Sequence, residues 1–293
     1  MTWWPAFAWC GIIAGPEMAG HQGGTVKVIY LVGMGRSGST LLDILLDAHS
    51  QIRALGGVRR LAHYAKKRPC PCGSPTFWEC DFWSKVNEGL QSRLGRDLVT
   101  LDVHARDDKT FREHNRTLFE VVSEVSGVPF VTDNSKSVIR LRRLMEAPDI
   151  DVIPIHVLRD PRGRAQSLRK RKNQNYIPTF SYSHRSLRLY YLLRNRPHIV
   201  VNYEKLAYDP ETQLRKLMER LDLEFEPAQL QWADMPHHNI GSADVFRKTE
   251  GSTIRPDDAW KTIIPPYMQR IINAIAWPGR VVNDAKERRW GLD

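Results

Sequence analysis

The chain contains 293 residues, of which 42% are hydrophobic and 26% are charged, so it is long enough to bury a full core. Four cysteines are too few for a disulfide-stabilised scaffold. The formal net charge of +10 at pH 7 predicts an anionic ligand, nucleic acid or an acidic surface as partner, without choosing among them. The sequence contains no internal repeat and no low-complexity linker.

Residues 1–25 differ in composition from the rest of the chain. The first twenty residues contain no Lys or Arg, so they lack the positive region of a secretory signal. Prolines, glycines and Glu17 also interrupt any membrane span there. We expect a disordered or loosely docked leader. The alternatives are a later start at Met18 and a peripheral membrane contact through the aromatic residues Trp3, Trp4, Phe7 and Trp9. No other segment is apolar enough to cross a bilayer, so residues 26–293 are expected to form one cytoplasmic domain.

A phosphate-binding turn is predicted between the first strand and the first helix. Residues 28–32 form a β-branched apolar run typical of a buried strand, and apolar residues recur at helical spacing over 40–47. Between them Gly33, Gly35 and Gly38 permit a tight, partly left-handed turn. Such an arrangement points backbone N–H groups at an anion, with the helix dipole behind them.

The cation of this loop is not where an ordinary ATPase has it. Residues 33–40 have the spacing of a Walker loop, but Ser39 stands at the position of the lysine. Arg36 supplies a positive charge inside the loop instead. The alternative is a turn whose glycines serve packing alone.

Three cysteines cluster after the first predicted helices. Cys70 and Cys72 lie in a Cys-x-Cys-Gly sequence, and Cys80 follows. This resembles half of a zinc knuckle, for which His63 is a candidate fourth ligand. Because the second close pair is missing, reduced structural thiols are an equal alternative and no metal is assigned. We interpret residues 63–83 as a cysteine-containing insertion in the domain.

Strands and helices alternate along the rest of the chain, which predicts a parallel sheet with right-handed crossovers. The predicted fold class is therefore α/β, a three-layer P-loop fold with a central parallel β-sheet flanked by helices. Basic residues concentrate in a helical region around 162–196, where solvated helix faces are expected. The predicted helices are 58–67, 83–94, 109–126, 138–146, 210–221 and 266–277, the further strands are 129–133, 151–158 and 198–202, and 96–108 is a charged, exposed loop.

Three polar clusters are predicted to meet at one edge of this sheet. Arg159 lies at the C-terminal end of the strand 151–158, and Ser167 lies about two turns into the helix that begins at Pro161. Residues 133–136 follow another strand. Ligands of such sheets bind beyond the carboxyl ends of the strands, where the glycine loop also lies. We therefore expect one site.

These residues together resemble a known family. The run Gly33–Leu42, GMGRSGSTLL, resembles the 5′-phosphosulfate loop of sulfotransferases that use 3′-phosphoadenosine-5′-phosphosulfate (PAPS). Arg159-Asp160-Pro161-Arg162 with Ser167 resembles the 3′-phosphate motif of that family, and residues 133–136 its Asp-x-Ser-Lys element. Residues 203–206 resemble its Tyr-Glu-Asp-Leu segment, and the cysteine sequences resemble those of the bacterial branch. The likeness extends from about residue 26 to residue 265.

The resemblance implies roles for particular residues. Arg159 and Ser167 would hold the 3′-phosphate of PAPS and of its product PAP, while Arg36 and Lys136 would stabilise the charge that develops during sulfonyl transfer. No divalent metal is required by this scheme. The residues implied to bind the donor are Gly35, Arg36, Ser37, Gly38, Ser39, Thr40, Arg159, Ser167 and Tyr203.

The acceptor side departs from the family pattern. Gly57 occupies the position at which this branch has a glutamate that is a candidate general base, and the later Gly-Asn-Pro-x-Arg element is altered at 241–245. We predict that His63 is the base, with His49 as its competitor. A third option is an acceptor that needs no base.

The predicted function is transfer of a sulfonyl group from PAPS to a hydroxyl or amine of a small-molecule or glycan acceptor. Nucleic acid is not expected as a partner, and the acceptor and the oligomeric state stay open. The alternatives are a small-molecule kinase of the P-loop class and a non-catalytic binder of nucleotides or polyanions. A kinase would need a lysine at 39 and an acidic Mg²⁺ partner at a strand end.

Overall fold

A five-stranded parallel sheet forms the centre of the domain. The computed structural model describes residues 26–172, 179–241, 251 and 253–293. Its strands lie in the order β2-β3-β1-β4-β5. They are β1 (Lys27–Gly33), β2 (Ile52–Ala54), β3 (Phe130–Asp133), β4 (Asp151–Leu158) and β5 (Ile199–Asn202).

Strand β1 is the middle strand and the point where the chain changes direction across the sheet. It pairs with β3 on one side, where Ile29 lies opposite Thr132, and with β4 on the other, where Leu31 lies opposite Ile155. The chain builds β2 and β3 on one side of β1 and then β4 and β5 on the other. In open α/β sheets, ligands bind in the crevice at such a switch point.

Helices cover both faces of the sheet. Their bounds are α1 Ser39–Asp47, α2 Leu61–Lys67, α3 Asp81–Leu94, α4 Asp108–Ser126, α5 Val138–Met145, α6 Pro161–Lys172, α7 Phe180–Leu193, α8 Tyr203–Tyr208, α9 Pro210–Arg220, α10 Trp260–Ile263 and α11 Pro266–Trp290, with 3-10 turns at Val58–Arg60 and Pro227–Asp234.

Alternate residues of β1 bury into two separate cores. Val28, Tyr30 and Val32 pack with side chains of α3, α4, α5 and α7. Ile29 and Leu31 pack on the opposite face with side chains of α1, α8 and α9. Because both faces are covered, β1 is apolar from Val28 to Val32 and does not alternate with polar residues. The predicted α/β class with a three-layer arrangement is confirmed.

One predicted element differs from the structure, and one strand was not predicted. The loop 96–108 is not fully exposed, because Leu98, Leu101 and Val103 are buried in the core beside α3 and α4. Strand β2 was not predicted because three residues are too few to show an alternation of apolar and polar side chains.

The terminal helix α11 continues past Trp277, where we expected it to end. It passes through Pro278, which has no backbone N–H to donate to the preceding turn of the helix. The hydroxyl of Ser183 on α7 donates to the carbonyl of Ile275 at 3.0 Å and accepts from the N–H of Gly279 at 3.4 Å. This hydroxyl bridges the disturbed turn, and the helix continues.

The predicted leader 1–25 lies outside the described residues. Within the described part of the chain, no helix is long and apolar enough to cross a membrane.

Candidate functional site

A cavity of about 570 Å³ opens at the carboxyl edge of the sheet, between the loop after β1 and the loops after β3 and β4. It brings together most of the residues that the sequence assigned to the site. The lining includes Gly35, Arg36, Gly38, Ser39, Thr40, Lys136, Arg159, Ser167 and Tyr203, as well as Asp43, Gly57, Arg59, Arg60, Tyr64, Asn134 and Asp257.

The loop after β1 has the left-handed backbone that its glycines predict. Gly38 has φ 88° and directly precedes α1, and Arg36 has φ 72°, an uncommon conformation for a residue with a side chain. A Cβ on Gly38 would lie 2.1 Å from Cδ2 of Tyr203, so only glycine fits under that ring. Tyr203 therefore packs directly on the loop.

Basic side chains fasten this loop to the connection between β4 and α6. Nε of Arg36 donates to Oγ of Ser167 at 2.9 Å. Nη1 of Arg159 donates to the carbonyl of Arg36 at 2.9 Å, and Nε of Arg164 donates to the carbonyl of Gly35 at 3.1 Å. The two predicted phosphate motifs are thus in direct contact, although 131 residues separate Arg36 from Ser167.

Arg159 is buried and positioned from several sides. Its Nη2 forms an ion pair with Oδ2 of Asp257 at 2.7 Å, and its guanidinium lies 4.3 Å from the centre of the Tyr203 ring. Among the described residues, Nε of Arg159 and the hydroxyls of Ser37 and Ser39 are buried without a hydrogen-bond partner. Unsatisfied buried donors are costly, so groups of this kind at a cavity favour an anionic ligand that would satisfy them.

The segment Asp133–Lys136 places Lys136 in the lining of the cavity. The Asp133 carboxylate accepts from the backbone N–H of Ser135 at 2.9 Å and pairs with the buried Arg140 at 2.7 Å. Lys136 follows with φ 57° and lines the cavity. Asp133 is thus committed to shaping the loop, while Lys136 belongs to the site.

Asp43 on α1 is a site residue that the sequence analysis missed. Asp43 lines the cavity although only 1% of its surface is exposed to solvent. Its carboxylate accepts hydrogen bonds from Thr132 and Asn239, and burial raises its pKa to about 6. An acidic residue within the apolar pattern of α1 was the one sequence signal for it.

Residues 237–240 lie at the rim of the cavity, and each of the four contacts a different part of the domain. Nδ1 of His237 lies 2.6 Å from Oδ2 of Asp47, and Asn239 donates to Asp43 at 3.2 Å. The N–H of Ile240 donates to the carbonyl of Leu55 at 2.8 Å. The side chain of His238 faces the cysteine cluster.

The structure does not bring the two histidines considered as bases into the cavity. His63 is exposed on α2 with its ring against Tyr64, and it is not among the residues that line the cavity. His49 is buried, with Nε2 2.8 Å from the carbonyl of Glu224. His49 therefore has a structural position, and the catalytic role of His63 stays a prediction. Most of the altered element at 241–245 lies outside the described residues.

A second cavity of about 330 Å³ adjoins the first and shares Arg59 and Lys136 with it. Burial lowers the pKa of Arg164 to about 10 and also lowers that of Arg185, because a buried guanidinium loses hydration. Its charged or titratable lining residues, among those described, are all basic: Arg59, Lys136, Arg164, His184, Arg185 and Arg188.

A parallel α/β sheet with a glycine loop and converging basic side chains at its carboxyl edge defines an anion-binding α/β protein. The sequence profile described as the sulfotransferase family matches residues 29–227. The chain belongs to the sulfotransferase family, and its activity class is sulfonyl transfer.

Solved structures with the same fold are distant in sequence. The sulfotransferase domain of the Synechococcus PCC 7002 olefin synthase is 15% identical with a TM-score of 0.56, covering 89% of this chain and 94% of that one. The sulfotransferase domain from the curacin biosynthetic pathway is 17% identical with a TM-score of 0.52, covering 85% and 96%. Sulfotransferase STF1 from Mycobacterium tuberculosis H37Rv is 14% identical with a TM-score of 0.50, covering 86% and 77%. No match is found among curated protein sequences.

Proposed function

We propose that this protein transfers a sulfonyl group from PAPS to a hydroxyl or amine of an acceptor. The observation that carries the proposal is the hydrogen bond between Arg36 and Ser167, which joins the glycine loop to the second phosphate motif. A nucleotide with both a 5′-phosphosulfate and a 3′-phosphate needs two anion sites within one cavity. Arg159 and Ser167 offer one, and Arg36 with the N-terminal amides of α1 offers the other.

The residues of the cavity fit such a donor. Its buried, unpartnered Ser39 hydroxyl and Arg159 Nε, as judged over the described residues, are donors suited to phosphate oxygens. The donor supplies an already activated sulfonyl group when bound. The protein must then orient it, exclude water and stabilise developing negative charge.

Lys136 and Arg36 are assigned to that stabilisation. Both are cations at the cavity, and both have left-handed backbone conformations. Fixed charges aimed at developing charge contribute a large part of catalysis in water-excluded sites. The left-handed backbone at both residues is consistent with strain retained at a functional site.

Asp43 is a stronger structural candidate than His63 for taking the acceptor's proton. It already lines the cavity, and its pKa of about 6 leaves it mostly ionised near neutral pH while keeping it basic enough to accept a proton. The new bond would join the acceptor atom to sulfur, the bond from sulfur to the bridging oxygen would break, and the acceptor's proton would pass to a carboxylate oxygen of Asp43.

The second cavity supports an acceptor that carries a negative charge. It adjoins the first through Lys136, and its described lining contains no carboxylate. Nε of Arg185 is buried there without a hydrogen-bond partner among the described residues. A small molecule or glycan unit bearing a carboxylate, phosphate or sulfate would satisfy these guanidinium groups.

Binding and transfer measurements also test two alternative functions, a small-molecule kinase and a non-catalytic binder. A kinase is disfavoured by Ser39 at the lysine position and by the guanidinium of Arg159 directly after β4, where an acidic metal ligand would be needed. A non-catalytic binder would hold nucleotide without turnover. Calorimetric titration with PAP, ATP and a heparin-like polyanion ranks the ligands, and radiolabelled PAPS with a panel of acceptors tests transfer.

The panel should pair each neutral acceptor with an anionic analogue. The proposal expects PAP to bind more tightly than ATP, and label to pass preferentially to the anionic analogue. Lys136→Ala should lower turnover by about 10²-fold or more while changing PAPS affinity less. Tighter ATP binding with phosphoryl transfer, or unchanged turnover of Lys136→Ala at saturating substrates, would refute the assignment.

A further inference from the structure

Three cysteine sulfurs and one histidine nitrogen meet beside the N-terminus of α3. Cys70 and Cys80 are buried, and Cys72 and His238 are partly buried. One potential ligand atom from each of the four residues lies within 4.8 Å of all the others. Nothing in the site described above uses these groups.

Three of the six distances between these atoms are close to the edges of a tetrahedron around zinc, and all six are within 4.8 Å. Zn–S bonds of about 2.3 Å and Zn–N bonds of about 2.0–2.1 Å place sulfurs roughly 3.8 Å apart and sulfur and nitrogen roughly 3.6 Å apart. Sγ of Cys72 lies 3.6 Å from Sγ of Cys80. Nδ1 of His238 lies 3.3 Å from Sγ of Cys80 and 3.5 Å from Sγ of Cys70.

Local structure holds each ligand in this arrangement. The N–H of Gly73 donates to the carbonyl of Cys70 at 3.1 Å, which closes a tight turn, and Gly73 has φ 103° as that turn requires. The hydroxyl of Ser74 hydrogen-bonds with the sulfur of Cys72 at 3.2 Å. The turn thereby brings two sulfurs of the sequence Cys-x-Cys-Gly to one side.

The imidazole is fixed independently of the cysteines. The His238 ring stacks on Phe82 with ring centres 4.7 Å apart, and Trp83 donates from Nε1 to the carbonyl of His238 at 3.2 Å. These contacts leave Nδ1 facing the sulfurs, with neighbours on α3 holding the ring plane.

We propose that the chain holds a structural zinc ion in a tetrahedral site of three thiolates and one imidazole: Cys70, Cys72, Cys80 and His238. Four protein ligands close the coordination sphere, which is the arrangement of structural rather than catalytic zinc. Binding would release thiol protons. The fourth ligand is His238 and not His63, the candidate suggested by the sequence.

The position of this site gives the metal a defined task. Cys70 and Cys72 belong to the turn after α2, Cys80 precedes α3, and His238 lies in the segment 237–240 at the rim of the cavity. The ion would tie that segment to the cysteine turn and so hold the rim in place. Its role is independent of whether PAPS is the donor.

The first test measures metal content directly. The purified full-length protein should contain about one zinc per chain by elemental analysis, released by a mercurial reagent that blocks thiolates. Replacement by Co²⁺ should give the intense visible bands of a tetrahedral thiolate site. Denatured wild-type protein should show Cys70, Cys72 and Cys80 as free thiols. Absence of zinc from protein prepared with added zinc, or a disulfide between Cys72 and Cys80 in its place, would overturn the proposal.

The second test uses matched variants. His238→Gln and Cys80→Ser should each lower zinc affinity by more than the roughly 10–100-fold typical of outer contacts. Cys10→Ser and His63→Gln should retain full zinc content, because neither residue belongs to the proposed set. If Cys80→Ser does not fold, Co²⁺ titration of His238→Gln and the wild type decides the question. Equal zinc content in His238→Gln and His63→Gln would exclude His238 as a ligand.

Discussion

Arg159 shares its guanidinium with Asp257, whose Oδ2 lies 2.7 Å from Nη2. A phosphate that binds Nη2 of Arg159 must compete with this carboxylate, whose side chain is 43% exposed to solvent. We expect Asp257→Asn to strengthen PAP binding roughly 2–5-fold, the scale of an exposed ion pair. Calorimetry measures the change. Asp258→Asn is the matched control, because Asp258 pairs with Lys261. Weaker PAP binding by Asp257→Asn would instead make Asp257 a ligand contact.

Arg159→Ala should weaken PAP binding by about 1.5–3 kcal/mol, the worth of a hydrogen bond to a charged group. Adenosine 5′-phosphosulfate lacks the 3′-phosphate, so its binding should change little. Arg162→Ala is a suitable control, since Arg162 pairs with Asp160 and lies over Trp260. Equal losses for the two nucleotides would remove the assignment of Arg159 to the 3′-phosphate.

Asp43→Asn tests the proposed base. Burial raises the pKa of Asp43 to about 6, and the ionised form is the one that accepts a proton, so wild-type turnover should rise as pH increases through about 6. The variant should lose about 10²-fold or more in turnover and lose that limb of the pH profile. His63→Ala, measured alongside, should keep the wild-type turnover and pH profile. A similar loss in His63→Ala, with Asp43→Asn at wild-type rate, would restore His63 as the base.

The adjacent glycines 56 and 57 should respond differently to alanine. Gly56 has φ 70°, and a Cβ there would lie 2.4 Å from the carbonyl oxygen of Ile240, so Gly56→Ala should destabilise the fold by about 1–2 kcal/mol or more from strain. A Cβ on Gly57 would lie 3.8 Å from the same oxygen, which is ordinary contact. Thermal unfolding should therefore show a lower Tm for Gly56→Ala and little change for Gly57→Ala. Similar Tm losses would contradict this geometry.

Lys286 predicts a pH-dependent stability. Its Nζ lies 3.0 Å from Nδ1 of His156, and burial lowers the Lys286 pKa to about 7. Between about pH 7 and the usual lysine pKa the unfolded chain binds more protons, so this residue makes stability rise with pH. The Tm of Lys286→Met minus that of the wild type should be more positive near pH 6 than near pH 9, since the buried charge is present only at low pH.

The measurement must allow for the neighbours of Lys286. Burial lowers the pKa of His156 well below its usual value and that of His198 to about 4, so both stay neutral over the range that matters. The loss of a donor to His156 lowers the Tm of the variant at every pH and leaves the trend. A Tm difference that is constant with pH would show that Lys286 titrates normally.

The donor side of the site was predictable because its signals are local. Gly38 directly precedes its helix and Arg159 directly follows its strand, so each position follows from nearby sequence. That these strand ends share one edge follows from the rules of parallel sheets, whereas the pairing of β1 with β4 was not predicted. The residues meet as expected, and their roles with the donor stay predictions.

The other parts of the site depend on contacts that no local pattern encodes. His238 approaches Cys80 across 158 residues, while His63, close in sequence, points elsewhere. Asp43 looked like a polar interruption of an apolar helix because its partner Asn239 lies 196 residues away. Asp257 faces Arg159 from a segment without regular secondary structure. Such pairings are set by packing of the whole domain.

The segment 237–240 also determines which changes of chain length the protein can accept. Its consecutive residues meet Asp47, the cysteine cluster, Asp43 and the backbone of Leu55 in turn. A single substitution removes one of these contacts and leaves the others. An inserted or deleted residue puts all of them out of register at once. Engineered insertions therefore belong elsewhere, such as the exposed turn at Gly95.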